Sequence, residues 1–204
     1  MFAGVIQATG EISSVKRRGN GLRITISTAL DLRDIRTGDS IAVDGICLTA
    51  IANSVHSFSA DVSRETLNCS AGFVERGKVN LEKALRVSDR INGHLMSGHV
   101  DGTGRVLKFE TAGECCLLSI KAPRSLAKYI ARKGSIAVNG VSLTVNDTKS
   151  GAFTVNLIPH TLDATTMKYL KRGAKVNVEV DMMARYIEHI FRQDRTSHQN
   201  RKKP

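Results

Sequence analysis

Ser40–Ala50 reads SIAVDGICLTA, and Ser135–Val145 reads SIAVNGVSLTV. Seven of the eleven positions are identical; the others are Asp44/Asn139, Ile46/Val141, Cys47/Ser142 and Ala50/Val145. One exchange turns a thiol into a hydroxyl. The echo extends outward. GVIQATGEI (4–12) resembles GHVDGTGRV (98–106), FSADVSRETL (58–67) resembles FTVNLIPHTL (153–162), and RGKVNLE (76–82) resembles RGAKVNVE (172–179). The pairs keep their order at offsets of 94 to 97 residues. The chain is therefore two copies of a unit of about 95 residues plus a C-terminal extension. A period this long, present twice, means domain duplication, because a solenoid repeats shorter units more often. The junction falls near INGHLMSGH (91–99).

Each repeat reads as mostly β. LRITIST (22–28), SIAVDG and SFSADV are short β-branched runs, several of them alternating, separated by the turn signals TGD, NG and RKG. Six or so strands in so few residues predict an all-β fold of two tandem six-stranded closed barrels, since closure removes exposed sheet edges. One short helix per repeat is expected, at PRSLAKYIARKG in the second and ALDLRDIRTG in the first. Met183, Tyr186, Ile187, Ile190 and Phe191 recur at helical spacing and predict a C-terminal α-helix with one apolar stripe. The stripe packs on its own domain or on copies of itself. The expected domains are 1–94, 95–181, a helix over 182–192 for oligomerisation, and a basic flexible tail over 193–204.

Of the 204 residues 41% are hydrophobic and 24% charged, as in a soluble globular protein. No apolar run approaches the ~20 residues of a membrane span. MFAGVIQATG lacks the basic flank and apolar stretch of a signal peptide, so the expected compartment is the cytoplasm. There Cys47, Cys69, Cys115 and Cys116 are reduced thiols, and no Cys/His spacing suggests a metal. Cys115 and Cys116 read as core packing in a strand. The net charge of +11 raises nucleic-acid binding as an alternative. Much of the excess lies in the last thirteen residues and in KRRGNGLR (16–23), and with aromatics at 4% there is little on which bases could stack. No nucleic-acid or membrane partner is expected.

MFAGVIQ, the pair GICLT and GVSLT, the linker GHLMSGHVDG and LIPHTLDATTM together resemble the riboflavin synthase family, α-chain type, over residues 1–190. GHLMSGH between two such repeats is the specific part. The resemblance implies Greek-key barrels that each bind 6,7-dimethyl-8-ribityllumazine. It further implies transfer of a four-carbon unit between two lumazines, without metal or nicotinamide, and a homotrimer held partly by C-terminal helices. Its active site lies between the N-barrel of one subunit and the C-barrel of its neighbour, and lumazine synthase is a further candidate partner.

Carried onto this chain, the pocket segments are Gly4, Val5 and Ile6 with Cys47, Leu48 and Thr49 and with Asp61, Val62, Ser63, Arg64, Glu65 and Thr66 in the first repeat. The second-repeat set is Gly98, His99 and Val100 with Ser142, Leu143 and Thr144 and with Leu157, Ile158, Pro159, His160, Thr161 and Leu162. Thr49 and Thr144 also read as ordinary strand residues. His99 is the foremost acid–base candidate, because an imidazole titrates near neutrality. Cys47 is a nucleophile or a polar wall. Ser40, Lys133, Ser142 and Asp181 match polar residues around the family's site, although Lys133 also reads as a solvated helix end and Asp181 as a helix N-cap. His94 reads as structural. The chain departs from the family at Ala3, where threonine is usual, and at Ser70. A non-catalytic lumazine or flavin carrier is the alternative from another class; such carriers have a degenerate second repeat and lack GHLMSGH.

Overall fold

The computed structural model describes the backbone of residues 1–200 and the side chains of residues 1–192. The first repeat forms β1 (Ala8–Arg18), β2 (Gly21–Thr28), β3 (Ser40–Val43), β4 (Ile46–Asn53), β5 (Ser57–Val62), α1 (Arg64–Cys69) and β6 (Lys78–Lys83). The second forms β7 (Gly102–Ala112), β8 (Cys115–Lys121), β9 (Ser135–Val138), β10 (Val141–Lys149), β11 (Ala152–Leu157), α2 (Pro159–Ala164) and β12 (Lys175–Val180). The strands close into two six-stranded barrels, ordered β1-β2-β5-β4-β3-β6 and β7-β8-β11-β10-β9-β12 around their circumferences. Even the irregularities are duplicated: bulges at Ile12/Ser14 and Ala50/Ala52 return at Val106/Lys108 and Val145/Asp147.

Both barrels are filled. In β4, Ile46, Leu48 and Ala50 point inward and are buried, while Thr49 faces out; in β10, Val141, Leu143 and Val145 alternate with Thr144 in the same way. The period of two thus places Cys47 and Ser142 on the outer wall of each barrel. Cys116 packs against the second core, and all four cysteines are free. The helices differ from expectation. PRSLAKYIARKG makes only a single 3-10 turn at Ala127–Tyr129, and ALDLRDIRTG makes turns alone. The short helices lie instead at α1 and α2, inside the expected pocket segments.

The two barrels meet about a local twofold relation. Val43 pairs with Ile46, and Val138 with Val141, which leaves two-residue turns at Asp44-Gly45 and Asn139-Gly140. Positive φ at all four residues makes both turns type I′. They stack so closely that a Cβ on either glycine would stand 2.7 Å from the other's amide nitrogen. Asn80 Nδ2 donates to the Asn139 carbonyl at 2.9 Å, and Asn177 Nδ2 to the Asp44 carbonyl at 2.9 Å. Asn80 Oδ1 accepts from the Thr166 N–H and Asn177 Oδ1 from the Ala71 N–H, each at 2.7 Å. These buried amides use both ends of their side chains across the interface, so apolar replacement would strand donors and acceptors.

α3 (Met182–Asn200) follows β12. Asp181 Oδ1 accepts from the Met183 N–H at 2.9 Å and caps its start. The helix is fastened to the second barrel by Arg185–Asp101 at 2.7 Å and by the Tyr129 hydroxyl donating to Glu188 at 3.1 Å. Met183, Tyr186, Ile187, Ile190 and Phe191 remain exposed on it. No helix among the described residues is long and apolar enough to cross a membrane. The helix runs on to Asn200, past the expected end at 192, so it takes in most of the stretch expected as a flexible tail; the side chains of 193–204 lie outside the described residues.

Asp44 supplies a test of the interface. Its Oδ1 accepts from the Asn80 N–H at 2.8 Å, as Asn139 Oδ1 accepts from the Asn177 N–H at 2.7 Å. Burial pushes the Asp44 carboxyl up to about 7. A raised carboxyl favours the folded state when protonated, and that advantage is lost as pH climbs through 7. Asp44→Asn keeps the acceptor and removes the charge. It is expected to stabilise the fold by roughly 2–4 kcal/mol above pH 8, with the gain fading as pH falls towards 4. Urea unfolding of both proteins across pH 5–9 measures it.

Candidate active site

The segments leading into each barrel cross to the other one. Phe2 and Met96 exchange backbone hydrogen bonds at 2.9 and 3.0 Å and form a small core with Ala42 and Ala137 between the barrels. Beyond that bridge the Gly4 carbonyl accepts from the Ser142 N–H of the second barrel at 2.9 Å, and the Gly98 carbonyl accepts from the Cys47 N–H of the first at 2.8 Å. Ile6 packs on the second core and Val100 on the first. Each segment then turns home: Gln7 donates to Leu81 at 2.9 Å and Asp101 to Val178 at 2.8 Å. Within each repeat, the resemblance groups Gly4–Ile6 with Cys47–Thr49 and Gly98–Val100 with Ser142–Thr144. The structure exchanges the partners, because sequence proximity gives no information about which barrel a linking segment covers.

Two glycines make this close approach feasible. Gly4 and Gly98 have φ of 76° and 79°, and a Cβ there would lie 2.6 Å from Ser142 Cβ and Cys47 Cβ respectively. No side chain fits between segment and strand.

Under the crossing of Gly98–Val100 lies a cleft of 210 Å³ lined by Ile46, Cys47, Glu65, Thr66, Cys69, Gly98, His99 and Val100. Ser63 caps α1 by accepting from the Thr66 N–H at 3.1 Å, which sets Glu65 and Thr66 on the cleft wall. His99 also borders a broader groove of 730 Å³ beneath α3, with Ser97, Asp101, Arg185 and Tyr186. Around Ser142 the arrangement differs. The linker runs over it, and His94 Nδ1 lies 2.7 Å from Ser142 Oγ. Burial holds the His94 imidazole below its ordinary range, while the charge of Asp181 pulls it back up.

The remaining expected residues divide. Leu48, Val62, Leu143 and Leu157 are core side chains and offer a ligand only their backbone. Asp61 is held on the outer wall by Arg23 at 2.7 Å. Arg64, Ile158, Pro159 and His160 are exposed, and Thr161 and Leu162 half-buried, at the start of α2. Thr161 stands where Thr66 stands in the first repeat. Lys133 is exposed at φ 66°, where the first repeat has Gly38 at φ 101°. Ser40 lies elsewhere, in a polar cleft of 420 Å³ with Gln7, Asp34, Lys83, Arg86 and Asp89. One chain therefore joins Cys47 to His99, and Ser142 to His94, while Ser40, paired with Thr49 on the strand beside Cys47, opens onto a different cleft. Cys69, Glu82 and Glu179 were missed. The matched motifs VNLE and VNVE carried the signal for the two glutamates, an acid repeated at equivalent positions of the last strand of each barrel.

The lumazine binding domain family matches the chain twice, over residues 3–84 and 97–181. A riboflavin synthase of Photobacterium phosphoreum is 42% identical over 198 residues, covering 96% of this chain and 91% of that protein. One of Bacillus subtilis (strain 168) is 40% identical over 189 residues, with 92% and 88% covered. Among solved structures, LumP complexed with riboflavin superposes with a TM-score of 0.81 at 26% identity, covering 88% of this chain and 99% of that one. LumP complexed with 6,7-dimethyl-8-(1'-D-ribityl) lumazine gives 0.80 at 24% identity, with the same coverage.

The His94 environment gives a direct measurement. In an NMR titration its imidazole is expected to titrate below a free histidine. Asp181→Asn, which removes the favourable charge, lowers it further. A His94 that titrates identically in the two proteins would show that the Asp181 charge does not reach the ring.

Proposed function

The chain belongs to the riboflavin synthase family of proteins built from paired lumazine-binding domains, and on that premise we propose that it joins two 6,7-dimethyl-8-ribityllumazine molecules. One passes a four-carbon unit to the other, giving riboflavin and 5-amino-6-(D-ribitylamino)uracil. The observation that carries the reading is the pair of crossed, nearly equivalent sites, one walled by a thiol and the other by a hydroxyl. A reaction between two identical molecules needs two similar sites. Donor and acceptor roles need those sites to differ.

A dismutation draws on no outside oxidant or reductant, so its demands are proton transfer and alignment. A base removes a proton from the C7 methyl of one lumazine, and a nucleophile or hydroxide adds at C7 of the other. His99, between the Cys47 cleft and the groove beneath α3, is placed for proton transfer, and Cys47 and Ser142 face the two rings. Such groups supply roughly 10²–10⁴-fold each, while holding two rings face to face supplies up to ~7–11 kcal/mol. Backbone groups of Gly4–Ile6 and Gly98–Val100 are suited to reading ring edges, and Thr66 and Thr161 to the ribityl hydroxyls.

The two sites of one chain lie on opposite barrels, and Ser40 opens onto a different cleft from Cys47. Stacked rings therefore require a second subunit, and the exposed stripe of α3 supplies a surface for it. We assign a homotrimer, with active sites between the N-barrel of one subunit and the C-barrel of the next. A lumazine synthase is the proposed supplier of substrate, and the cytoplasm the proposed compartment. The LumP likeness supports a second reading, a carrier that binds without turnover. Two intact repeats joined by GHLMSGH favour the enzyme.

Purified protein incubated with 6,7-dimethyl-8-ribityllumazine alone is expected to generate riboflavin absorbance and an equal amount of the uracil; saturable binding without absorbance change would select the carrier. Ile187→Glu combined with Phe191→Glu is expected to convert trimers to monomers in light scattering and to reduce turnover by at least about tenfold, through lost alignment of the rings. Full turnover in a monomer would overturn the shared site.

A further inference from the structure

Glu82 on β6 and Glu179 on β12 are 2% and 3% exposed. Neither forms a salt bridge among the described residues. Isolated buried carboxylates are costly, so the contacts they make should account for their presence. Glu82 accepts from the Ala3 N–H at 2.7 Å and the Gly4 N–H at 3.0 Å, one on each oxygen. Glu179 accepts from the Ser97 N–H at 2.7 Å and the Gly98 N–H at 3.0 Å in the same way. The Ser97 hydroxyl gives Glu179 a further bond at 2.6 Å; Ala3 has no hydroxyl to give Glu82.

The bonded amides open the two crossing segments. Gly4 lies against Ser142 of the opposite barrel, and Gly98 against Cys47. Two successive N–H groups converging on both oxygens of one carboxylate leave no place for an amide side chain, whose NH₂ would face a donor. The group the geometry calls for is a carboxylate, and what it holds is a crossing segment that belongs to no strand of either barrel.

We propose that Glu82 and Glu179 are positioning residues wired across the molecule, Glu82 of the first barrel setting the ligand site at Ser142 of the second, and Glu179 of the second setting the ligand site at Cys47 of the first. This rests on the reading above that both are lumazine sites. Each glutamate acts through backbone, and neither touches a ligand.

The test uses the full chain and riboflavin, the product of the proposed reaction. Flavin fluorescence titration gives the number of sites, and protection of Cys47 from iodoacetamide, read by peptide mass spectrometry, reports the first-barrel site alone. Wild-type protein is expected to fill both sites and to protect Cys47. Glu179→Gln is expected to lose Cys47 protection and keep the second site, whereas Glu82→Gln keeps protection and loses the other site. Ser97→Ala, which removes one bond and spares the carboxylate, weakens the protected site by roughly three- to tenfold and leaves the other unchanged, so the proposal stays testable if either glutamine variant fails to fold. Equal weakening of both sites in every variant, as a merely structural role predicts, would overturn the proposal. Wild-type protein that binds no riboflavin at all would instead overturn the functional reading beneath it.

Discussion

Two type I′ turns set back to back, Asp44-Gly45 against Asn139-Gly140, fix the relation between the halves of this chain. Glycine at both contact points lets the backbones approach, and positive φ at all four residues points their carbonyls at the buried amides of Asn80 and Asn177. Those amides in turn receive N–H groups from the segments after α1 and α2. With barrels locked in that register, Phe2 meets Met96, and the segments beyond them have only the opposite barrel to lie on.

Crossing explains how a duplicated fold gains chemistry that one copy would lack. A filled barrel offers a ligand only its outer wall. Laying a foreign strand across that wall makes a cleft with a floor from one repeat and a rim from the other. The sites stay alike in backbone and differ where sequence has drifted: Cys47 against Ser142, Glu65 against His160, and a linker histidine over one alone. The Asp44/Asn139 difference belongs to the interface instead, where an acid and its amide perform the same backbone-accepting role at different electrostatic cost.

Much of this was legible in the residues. The repeat in SIAVDGICLTA and SIAVNGVSLTV, its constant offset, and the period-two alternation were enough for two small β barrels, and GHLMSGH marked the junction. The apolar spacing of Met183–Phe191 located the last helix. Other features were hidden for physical reasons. α1 and α2 are six residues each, too short for a helical period to show. The PRSLAKYIARKG stretch carries a proper helix start signal, yet tertiary packing permits a single turn. The exchange of Gly4 and Gly98 between barrels leaves no trace in local pattern, since both segments precede strands of their own repeat. Glu82 and Glu179 look like solvent-facing positions of a strand until the N–H groups they hold are seen.

The crossing has a consequence for how the protein is made. During synthesis the first barrel can close once β6 has left the ribosome, yet its cleft still lacks Gly98–Val100, and Gly4–Ile6 have no surface until Ser142 emerges. Early-translated residues therefore wait, unpaired, for late ones, a delay that contacts distant in sequence impose on any nascent chain. Both crossings are completed together, only when the second half folds back onto the first.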